Sequence, residues 1–384
     1  MDGNRSALDS TYIIDGITRE LTPAQILDAC LAEPGSIVHD CAKTEPIIDE
    51  ELDTSIKACD TSSSRIGEYL DKVMRLRYSR KNFLNPFPES YAKGRVAAAL
   101  IDAIWRRGHF RLGNLTLDAF WKWDSEPLGN MSAFYSTVEA ACDYIDALGL
   151  RIHEYSFEEV PGASSVLFRP HILATEGVDE ENDAEAYREQ VGVDNPSLGA
   201  RRKHPASLRP DPKSWIIYVP FEVCSHRLGG SLLSRVQGAT GELPPAILDA
   251  DYFMDCYEVV RELVEDNIIL SGVTVSGGGL LTALKSMAAE GTGAEIDLSG
   301  LIAATGESNL VRLLFSEVPG VIIQIADIDY DYIDAELLLQ DVAFYPLGHP
   351  VAGTTEVTIS MSEKSGIQNI LESIIRSQSS EGED

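Results

Sequence analysis

The amino-acid sequence predicts a mixed α/β (α+β) fold in two domains, and the spacing of its apolar residues carries that prediction. From residue 213 onward, short apolar strands alternate with amphipathic helices, which is the pattern of a layered α/β domain. Residues 63–175 instead show three amphipathic helices and two strands, which predict a separate N-terminal domain. With 384 residues and an apolar content of 44%, the chain is long enough to bury two cores.

The segment before these domains, residues 1–62, is predicted to be linker-like and partly disordered. It mixes short apolar runs with turn-forming and acidic residues. One helix is expected within it, because Thr22 and Gln25 form a capping pattern and Pro34-Gly35 supplies a stop.

In the N-terminal domain, the first helix is expected to begin at Ser64 and the second to end at Trp105. The third covers about residues 131–148, and Gly149 stands where a left-handed C-cap is expected. The predicted strands of this domain are 115–123 and 165–168.

The C-terminal domain, residues 213–360, follows a predicted flexible insertion at 176–212 that shows almost no apolar periodicity. A last helix and an acidic tail are predicted over 361–384. The predicted elements between them are strand 215–219, helix 249–266, strand 268–275, helix 280–289, strand 321–325, helix 332–340 and strand 343–345.

The charge balance limits the classes of partner. The chain has 31 basic and 61 acidic side chains, for a formal net charge of −30. A field of that sign repels phosphate backbones and anionic lipids, so we expect neither nucleic acid nor membrane as a partner, although solubility alone also explains the charge. No uncharged apolar run of 18 residues occurs and the N-terminus lacks an apolar signal core, so we expect a cytoplasmic protein.

Cysteine and histidine spacing gives no support for a metal site. The six cysteines are scattered without a CxxC pair and are expected to be reduced thiols. The seven histidines show neither HxxxH nor HExxH spacing, and His153 is interpreted as a surface residue.

Several segments resemble the second, non-glutaminase half of phosphoribosylformylglycinamidine (FGAM) synthase, in the same order and with similar spacing. Residues 268–301 resemble the family signature in which a strand ends in His-Asp-x-Ser-x-Gly-Gly before a helix. Residues 314–329 resemble its Leu-Phe-(Ser/Gly)-Glu-x-x-Gly turn and strand, and residues 227–231 its Leu-Gly-Gly-Ser turn. Residues 118–123 and 68–84 match elements of the preceding domain.

This resemblance implies a PurM-like (AIR synthase-like) two-domain half with a truncated N-terminal domain, since about ten residues replace a long stretch of family strands between Leu84 and Gly94. It also implies an ATP-dependent amidotransferase of purine biosynthesis, with ATP or ADP and Mg²⁺ as ligands. Val273-Thr274 stands in place of the His-Asp pair, and the family's Gly-Lys-Asp-Ser loop is missing after Ile152. Neither valine nor threonine supplies a charge for Mg²⁺, so we predict no catalytic residue and no metal ligand.

What remains is a candidate nucleotide site at two glycine-rich turns. Backbone N–H groups at a strand-to-helix turn can hold an anion with help from the helix dipole, and an arginine can meet a phosphate. Alternatively, the glycines only allow tight turns and close helix packing, and the arginine is solvated. The predicted nucleotide-binding residues are Ser276, Gly277, Gly278, Gly279, Arg227, Gly229 and Gly230.

Three functions stay open at this point. The chain is a catalytically degenerate half that acts as a scaffold or partner subunit, a working FGAM synthase subunit completed by other chains, or a nucleotide-binding module. The corresponding partners are a second copy of the chain or a separate FGAM synthase half.

Overall fold

A computed structural model describes residues 6–32, 38–40, 59–78, 87–106, 111–162, 164–172, 202–239, 241–289 and 291–360, and the statements below concern these residues. Most of the predicted insertion and the whole predicted tail at 361–384 lie outside them. Within the described part of the chain, none of the helices combines the length and apolar character needed to cross a bilayer.

Helices and strands alternate as expected for the α/β class, which is confirmed. The helices are α1 (Pro23–Cys30), α2 (Ile66–Tyr78), α3 (Pro88–Ile104), α4 (Asn130–Ala147), α5 (Leu232–Gln237), α6 (Ala250–Glu265), α7 (Gly279–Met287), α8 (Ser299–Thr305), α9 (Leu310–Phe315) and α10 (Tyr330–Leu339). The strands are β1 (Ile13–Ile14), β2 (Ile17–Thr18), β3 (Val38–Asp40), β4 (Leu115–Trp123), β5 (Ile152–Glu159), β6 (Ser164–Ile172), β7 (Trp215–Pro220), β8 (Ile269–Val275), β9 (Thr292–Asp297), β10 (Gly320–Ile325), β11 (Tyr345–Ala352) and β12 (Val357–Ser360).

The N-terminal sheet has four strands in the order β3-β5-β4-β6. Strand β4 pairs in parallel with β5 and antiparallel with β6. Alternate residues of β4, including Leu117, Ala119 and Trp121, enter a core that α3 and α4 share, while the residues between them lie on the other face of the sheet. This sheet therefore has one face packed on helices.

The C-terminal sheet has six strands in the order β12-β9-β11-β7-β10-β8. Its central strand β7 is buried on both faces: Ile217 and Val219 join the core that contains α6, and Ile216 and Tyr218 join a second core with α2, α7 and α9. The period of two along the strand explains why a continuous apolar run is required here. The sheet lies between two helical layers.

Three parts of the predicted domain map need correction. Residues 6–32, placed in a linker from the sequence, pack into the N-terminal core, where Leu8 and Leu27 are buried. Helix α2, placed in the N-terminal domain, buries Tyr69 and Val73 in the second core of the C-terminal sheet. An amphipathic stripe shows that a helix buries one face but not which layer receives it, so the sequence left this choice undetermined.

The predicted insertion also ends earlier than residue 212. Leu208 is buried in the second core, and its backbone N–H donates to the carbonyl oxygen of Met287 at 2.9 Å. His204 is buried and bonds through its ring to the carbonyl oxygen of Val264 at 2.9 Å. Residues 202–212 are thus part of the C-terminal layers, and the rest of the insertion lies outside the described residues.

Six strands of the described part of the chain were not predicted: β1, β2, β3, β5, β9 and β12. Most of residues 153–160, which stand where the family has its Gly-Lys-Asp-Ser loop, belong to β5, whose Tyr155 and Phe157 point into the core. Strand β9 was not predicted, because its sequence of small and charged residues has few β-branched side chains.

Trp105, which follows α3, connects the N-terminal core to strand β8 of the C-terminal sheet. Its ring is fully buried against Gly272 of β8, and its indole N–H donates to the hydroxyl oxygen of Thr274 at 2.9 Å. The guanidinium of Arg202 lies over the same ring, 5.3 Å from its centroid. A side chain at position 272 has no space here, since a Cβ would lie 2.4 Å from Trp105 Cζ3.

We therefore expect Gly272→Ala to lower the free energy of unfolding by about 1–3 kcal/mol, because the added methyl forces the Trp105 ring to move in a packed core. Gly300→Ala is the matched control. Nothing lies within 4 Å of a Cβ at exposed position 300 of α8, so alanine there should be neutral or stabilising by up to about 1 kcal/mol. Denaturant unfolding of both variants checks this, and equal stability of the two would contradict the packing.

Candidate nucleotide site

The first predicted turn connects β8 to α7 through Ser276 and Gly277. Gly278 is the N-cap of α7 with φ of +90°, and Gly279 opens the helix with φ of +70°. Residues with a side chain rarely adopt these values, so the turn requires glycine at both positions. The carbonyl oxygen of Ser276 accepts the N–H of Gly279 at 2.9 Å and closes the turn.

Close packing imposes a second requirement on the same glycines. A Cβ on Gly278 would lie 2.6 Å from Thr282 Oγ1, and one on Gly279 would lie 2.7 Å from the carbonyl oxygen of Ser316. The start of α7 thus touches the backbone that follows α9. This geometry supports the interpretation that the glycines permit a tight turn and close helix contact.

A carboxylate from the same chain occupies the donors of the turn. Glu317 Oε1 accepts the backbone N–H of Gly278 at 2.8 Å and that of Leu232, the first residue of α5, at 2.7 Å. Both donors belong to helix starts, where unpaired N–H groups favour a negative charge. Glu317 therefore takes the place that an anion would occupy at these two N–H groups.

The ionisation of Glu317 reflects its surroundings. Burial raises the pKa of this carboxyl, while the two backbone donors and the charges of Arg235 and Arg77 act in the opposite direction. The net direction is upward, so the folded protein favours the neutral form more than the unfolded chain does.

The second predicted turn lies beside the first. The carbonyl oxygen of Arg227 accepts the hydroxyl of Ser316 at 2.9 Å. The N–H of Gly229 donates to the carbonyl oxygen of Leu243 at 3.0 Å, and a Cβ at Gly229 would lie 2.0 Å from the carbonyl oxygen of Glu242. Gly230 has φ of +71°, in the left-handed region. Ser316 and Glu317 thus bring the two predicted turns together.

Arg227 also lines a separate cavity of about 380 Å³. Arg312 crosses it and pairs with Glu242 at 3.1 Å and Glu307 at 3.5 Å. His226 is only 7% exposed, and neither ring nitrogen has a hydrogen-bond partner. The cavity is lined by Ser225, His226, Arg227, Gly241, Glu242, Leu243, Glu307 and Arg312.

Burial lowers the pKa of His226, and the nearby charge of Glu307 acts against that change. The ring is therefore held toward its neutral form, with one nitrogen able to donate and the other to accept. A cavity with a neutral imidazole, two guanidinium groups and two carboxylates suits a polar ligand that carries both donors and acceptors.

Val273 and Thr274, which stand where the family signature has a His-Asp pair, make packing and hydrogen-bond contacts. Val273 is buried in the second core. The hydroxyl of Thr274 donates to Asp102 Oδ1 at 2.5 Å and accepts the Trp105 indole N–H at 2.9 Å. These side chains do not fit a magnesium ion, which needs oxygen ligands in octahedral geometry.

Sequence reasoning missed Glu317 and His226 as site residues. Glu317 has a readable signal, because it is the one charged residue in the apolar run from Leu313 to Ile323. A charge in such a run has to be paired or hydrogen-bonded once buried. His226 gives no comparable signal, since its burial depends on how the turn folds.

The sequence from 214 to 337 matches the family described as AIR synthase related protein, C-terminal domain. The chain carries an AIR synthase related C-terminal domain. This domain begins at β7, ends within α10, and contains both glycine-rich turns and Glu317.

Two relatives are phosphoribosylformylglycinamidine synthases. The human enzyme is 29% identical over 126 residues, which cover 33% of this chain and 9% of the human protein. A probable chloroplastic/mitochondrial enzyme of Arabidopsis thaliana is 24% identical over 268 residues, which cover 68% of this chain and 17% of that protein. The resemblance to this synthase family is confirmed, and the chain spans less than a fifth of either relative's length.

A solved structure with a similar fold is T. maritima PurL complexed with ATP, with a TM-score of 0.46 and 14% sequence identity. The match covers 73% of this chain and 40% of the PurL chain.

We expect Glu317→Gln to gain stability over the wild type as pH rises from about 4 to about 8. The glutamine oxygen keeps both backbone hydrogen bonds of the AIR synthase related domain but cannot ionise. Because the folded pKa of Glu317 is raised, its contribution is fully present below the unfolded value of about 4.3 and is lost as pH rises through the folded pKa. Thermal unfolding of both proteins across this range measures the difference in Tm.

Glu317→Ala is the contrasting variant. It removes the shared acceptor and leaves two N–H groups without their partner, so we expect a loss of about 1–3 kcal/mol at every pH. A Tm of Glu317→Gln that falls relative to that of the wild type as pH rises would mean that the fold favours the ionised carboxylate, contrary to this account.

Proposed function

We propose that this chain is an FGAM synthase-related protein of purine biosynthesis that has lost its own catalysis and acts as a scaffold or partner subunit in the cytoplasm. The observation that carries the proposal is the packing of Val273 and Thr274. Where the family signature has a histidine and an aspartate, this chain has a buried valine and a threonine whose hydroxyl is committed to Asp102 and Trp105. These positions support the fold and offer no group for proton transfer.

The hydrogen bonds that Glu317 makes at the turn before α7 are a second argument for the proposal. A phosphate needs free N–H donors and a positive field at the helix start. Glu317 already takes the N–H groups of Gly278 and Leu232, and whenever it is ionised its charge repels a second anion. These bonds therefore favour a structural role for the turn, in joining the starts of α7 and α5, over a role in binding a nucleotide.

An activity assay on the full chain tests this proposal. We expect no ATP hydrolysis and no FGAM formation above a no-protein control when the chain receives ATP, Mg²⁺, ammonia and the formylglycinamide ribonucleotide substrate. A complete FGAM synthase in parallel shows that the assay works. Turnover that follows this chain through purification would overturn the proposal.

The partner role has its own measurement. We expect the chain to elute from size-exclusion chromatography with light scattering either as a dimer or with a separately expressed FGAM synthase half. A monomer that leaves the elution of that half unchanged would remove the scaffold role. Activity that appears only in the mixture would show instead a working subunit completed by another chain.

A second candidate function is a nucleotide-binding module, and the cavity beside Arg227 favours it. Its guanidinium groups and the unpaired imidazole of His226 are suitable partners for a phosphorylated ligand. Calorimetry with ATP and with ADP, each with and without Mg²⁺, tests this candidate. Binding weakened about tenfold or more by Arg227→Gln supports it, since a charged hydrogen bond contributes about 1.5–3 kcal/mol.

The matched control for this experiment is Arg169→Gln. Arg169 is an exposed arginine on β6 of the other sheet, where it lies over the Phe120 ring. Equal weakening by both variants would indicate a general charge effect, and no heat at millimolar nucleotide would eliminate the module.

A further inference from the structure

Three chemistry-bearing side chains meet on the N-terminal sheet, far along the chain from the glycine-rich turns. They come from three neighbouring strands: Asp118 from β4, His153 from β5 and His171 from β6. Each offers one ligand atom, and these atoms all lie within 4.8 Å of one another. The sequence does not reveal this cluster, because the three residues are separated by 35 and 18 positions and form no HxxxH or HExxH spacing.

An irregularity in the sheet brings the cluster together. The register between β4 and β5 shifts between Leu117 and Asp118, so His153 is an extra residue that faces no direct partner. Such a bulge re-aims a side chain and recurs near functional sites. It lets His153 leave the core side of β5, where its neighbours Ile152 and Tyr155 are buried.

The two imidazoles lean toward each other across the middle strand. Their rings stack with centroids 4.1 Å apart and planes within 5°. Thr116 lies opposite His171 on β4 and is fully buried, although it belongs to the outer face of the sheet. A small residue here gives the two rings room to approach each other.

Asp118 is the third member of the cluster. Its Oδ1 lies 2.9 Å from His153 Nδ1, and its side chain is 16% exposed against 44% for His153. His171 is exposed, so the cluster opens to solvent. An ion can therefore reach it without any change in the core.

We propose that Asp118, His153 and His171 form a binding site for a divalent transition metal of the zinc and cobalt type. Two imidazoles and one carboxylate are the ligand set that zinc accepts, with a fourth position left for water. Bonds of about 2.1 Å in tetrahedral geometry hold ligand atoms about 3.4 Å apart, so shifts of about 1 Å at the side-chain ends close the site. Magnesium, which prefers oxygen ligands, is a poor occupant.

A bound ion ties together β5, β4 and β6, and the strongly negative net charge of −30 raises the local concentration of cations. Because the ion binds only the folded arrangement of three strands, it stabilises the fold. The site is separate from the AIR synthase related domain, which begins at residue 214.

Titration of the purified full chain with Co²⁺ tests the site, because a tetrahedral cobalt centre absorbs visible light. We expect one equivalent to bind with the cobalt band of a tetrahedral site, Zn²⁺ to displace it, and Mg²⁺ to leave it unchanged. His171→Gln and Asp118→Asn should each weaken binding at least about tenfold. Zn²⁺ should raise the Tm of the wild type but not that of these two variants.

Two controls separate this site from other ligands in the chain. Glu158→Gln removes an exposed carboxylate from β5 that pairs with Lys122, and it should bind cobalt like the wild type. The triple variant Asp118→Asn, His153→Gln, His171→Gln keeps every cysteine. Absence of binding by the wild type, or equal binding by the triple variant, would overturn the proposal. Both outcomes are independent of any nucleotide or synthase assay.

Discussion

One carboxylate oxygen holds the centre of the C-terminal domain together. Glu317 Oε1 receives the first N–H of the turn before α7 and the first N–H of α5, so two helix starts converge on a single acceptor. The hydroxyl of its neighbour Ser316 fixes the turn that carries Arg227. At the start of α7, Gly278 and Gly279 let the backbones approach closely, and these hydrogen bonds satisfy the polar groups that meet there.

The geometry of this turn shows that its glycines have a structural role. The sequence motif predicts a tight turn with free N–H groups, and the turn is present with Gly278 and Gly279 in the left-handed region. The motif alone does not show that the side chain of Glu317, almost forty positions later, accepts the N–H of Gly278 in this turn. A glycine-rich turn is therefore evidence for close backbone approach first, and for a ligand only where donors remain unpaired.

Local patterns predicted the fold class and most elements, and failed where tertiary contacts decide. Gly149 was expected to be a left-handed C-cap and has φ of +70°, and the strand at 115–123 was found at those residues. Strand β5 was missed because the bulge at His153 interrupts its alternation. Helix α2 was assigned to the wrong domain because its apolar stripe fits either core. Of the site, the sequence indicates the two turns, whereas their proximity through Ser316 and Glu317 and the burial of His226 become visible only in the structure.

Val273 and Thr274, which stand where the family signature has a His-Asp pair, lie at the contact that holds Trp105 in the core. Thr274 holds Trp105 and Asp102, and Gly272 makes room for the indole ring that Arg202 covers. A histidine or aspartate at 273 or 274 would have to displace buried apolar surface or break this hydrogen-bonded pair, at a cost of a few kcal/mol. The end of helix α3 is thereby attached to β8 through Gly272 and Thr274. A charged side chain at 273 or 274 would therefore have to be accommodated at the contact between the end of α3 and β8, where the present residues are already buried or hydrogen-bonded.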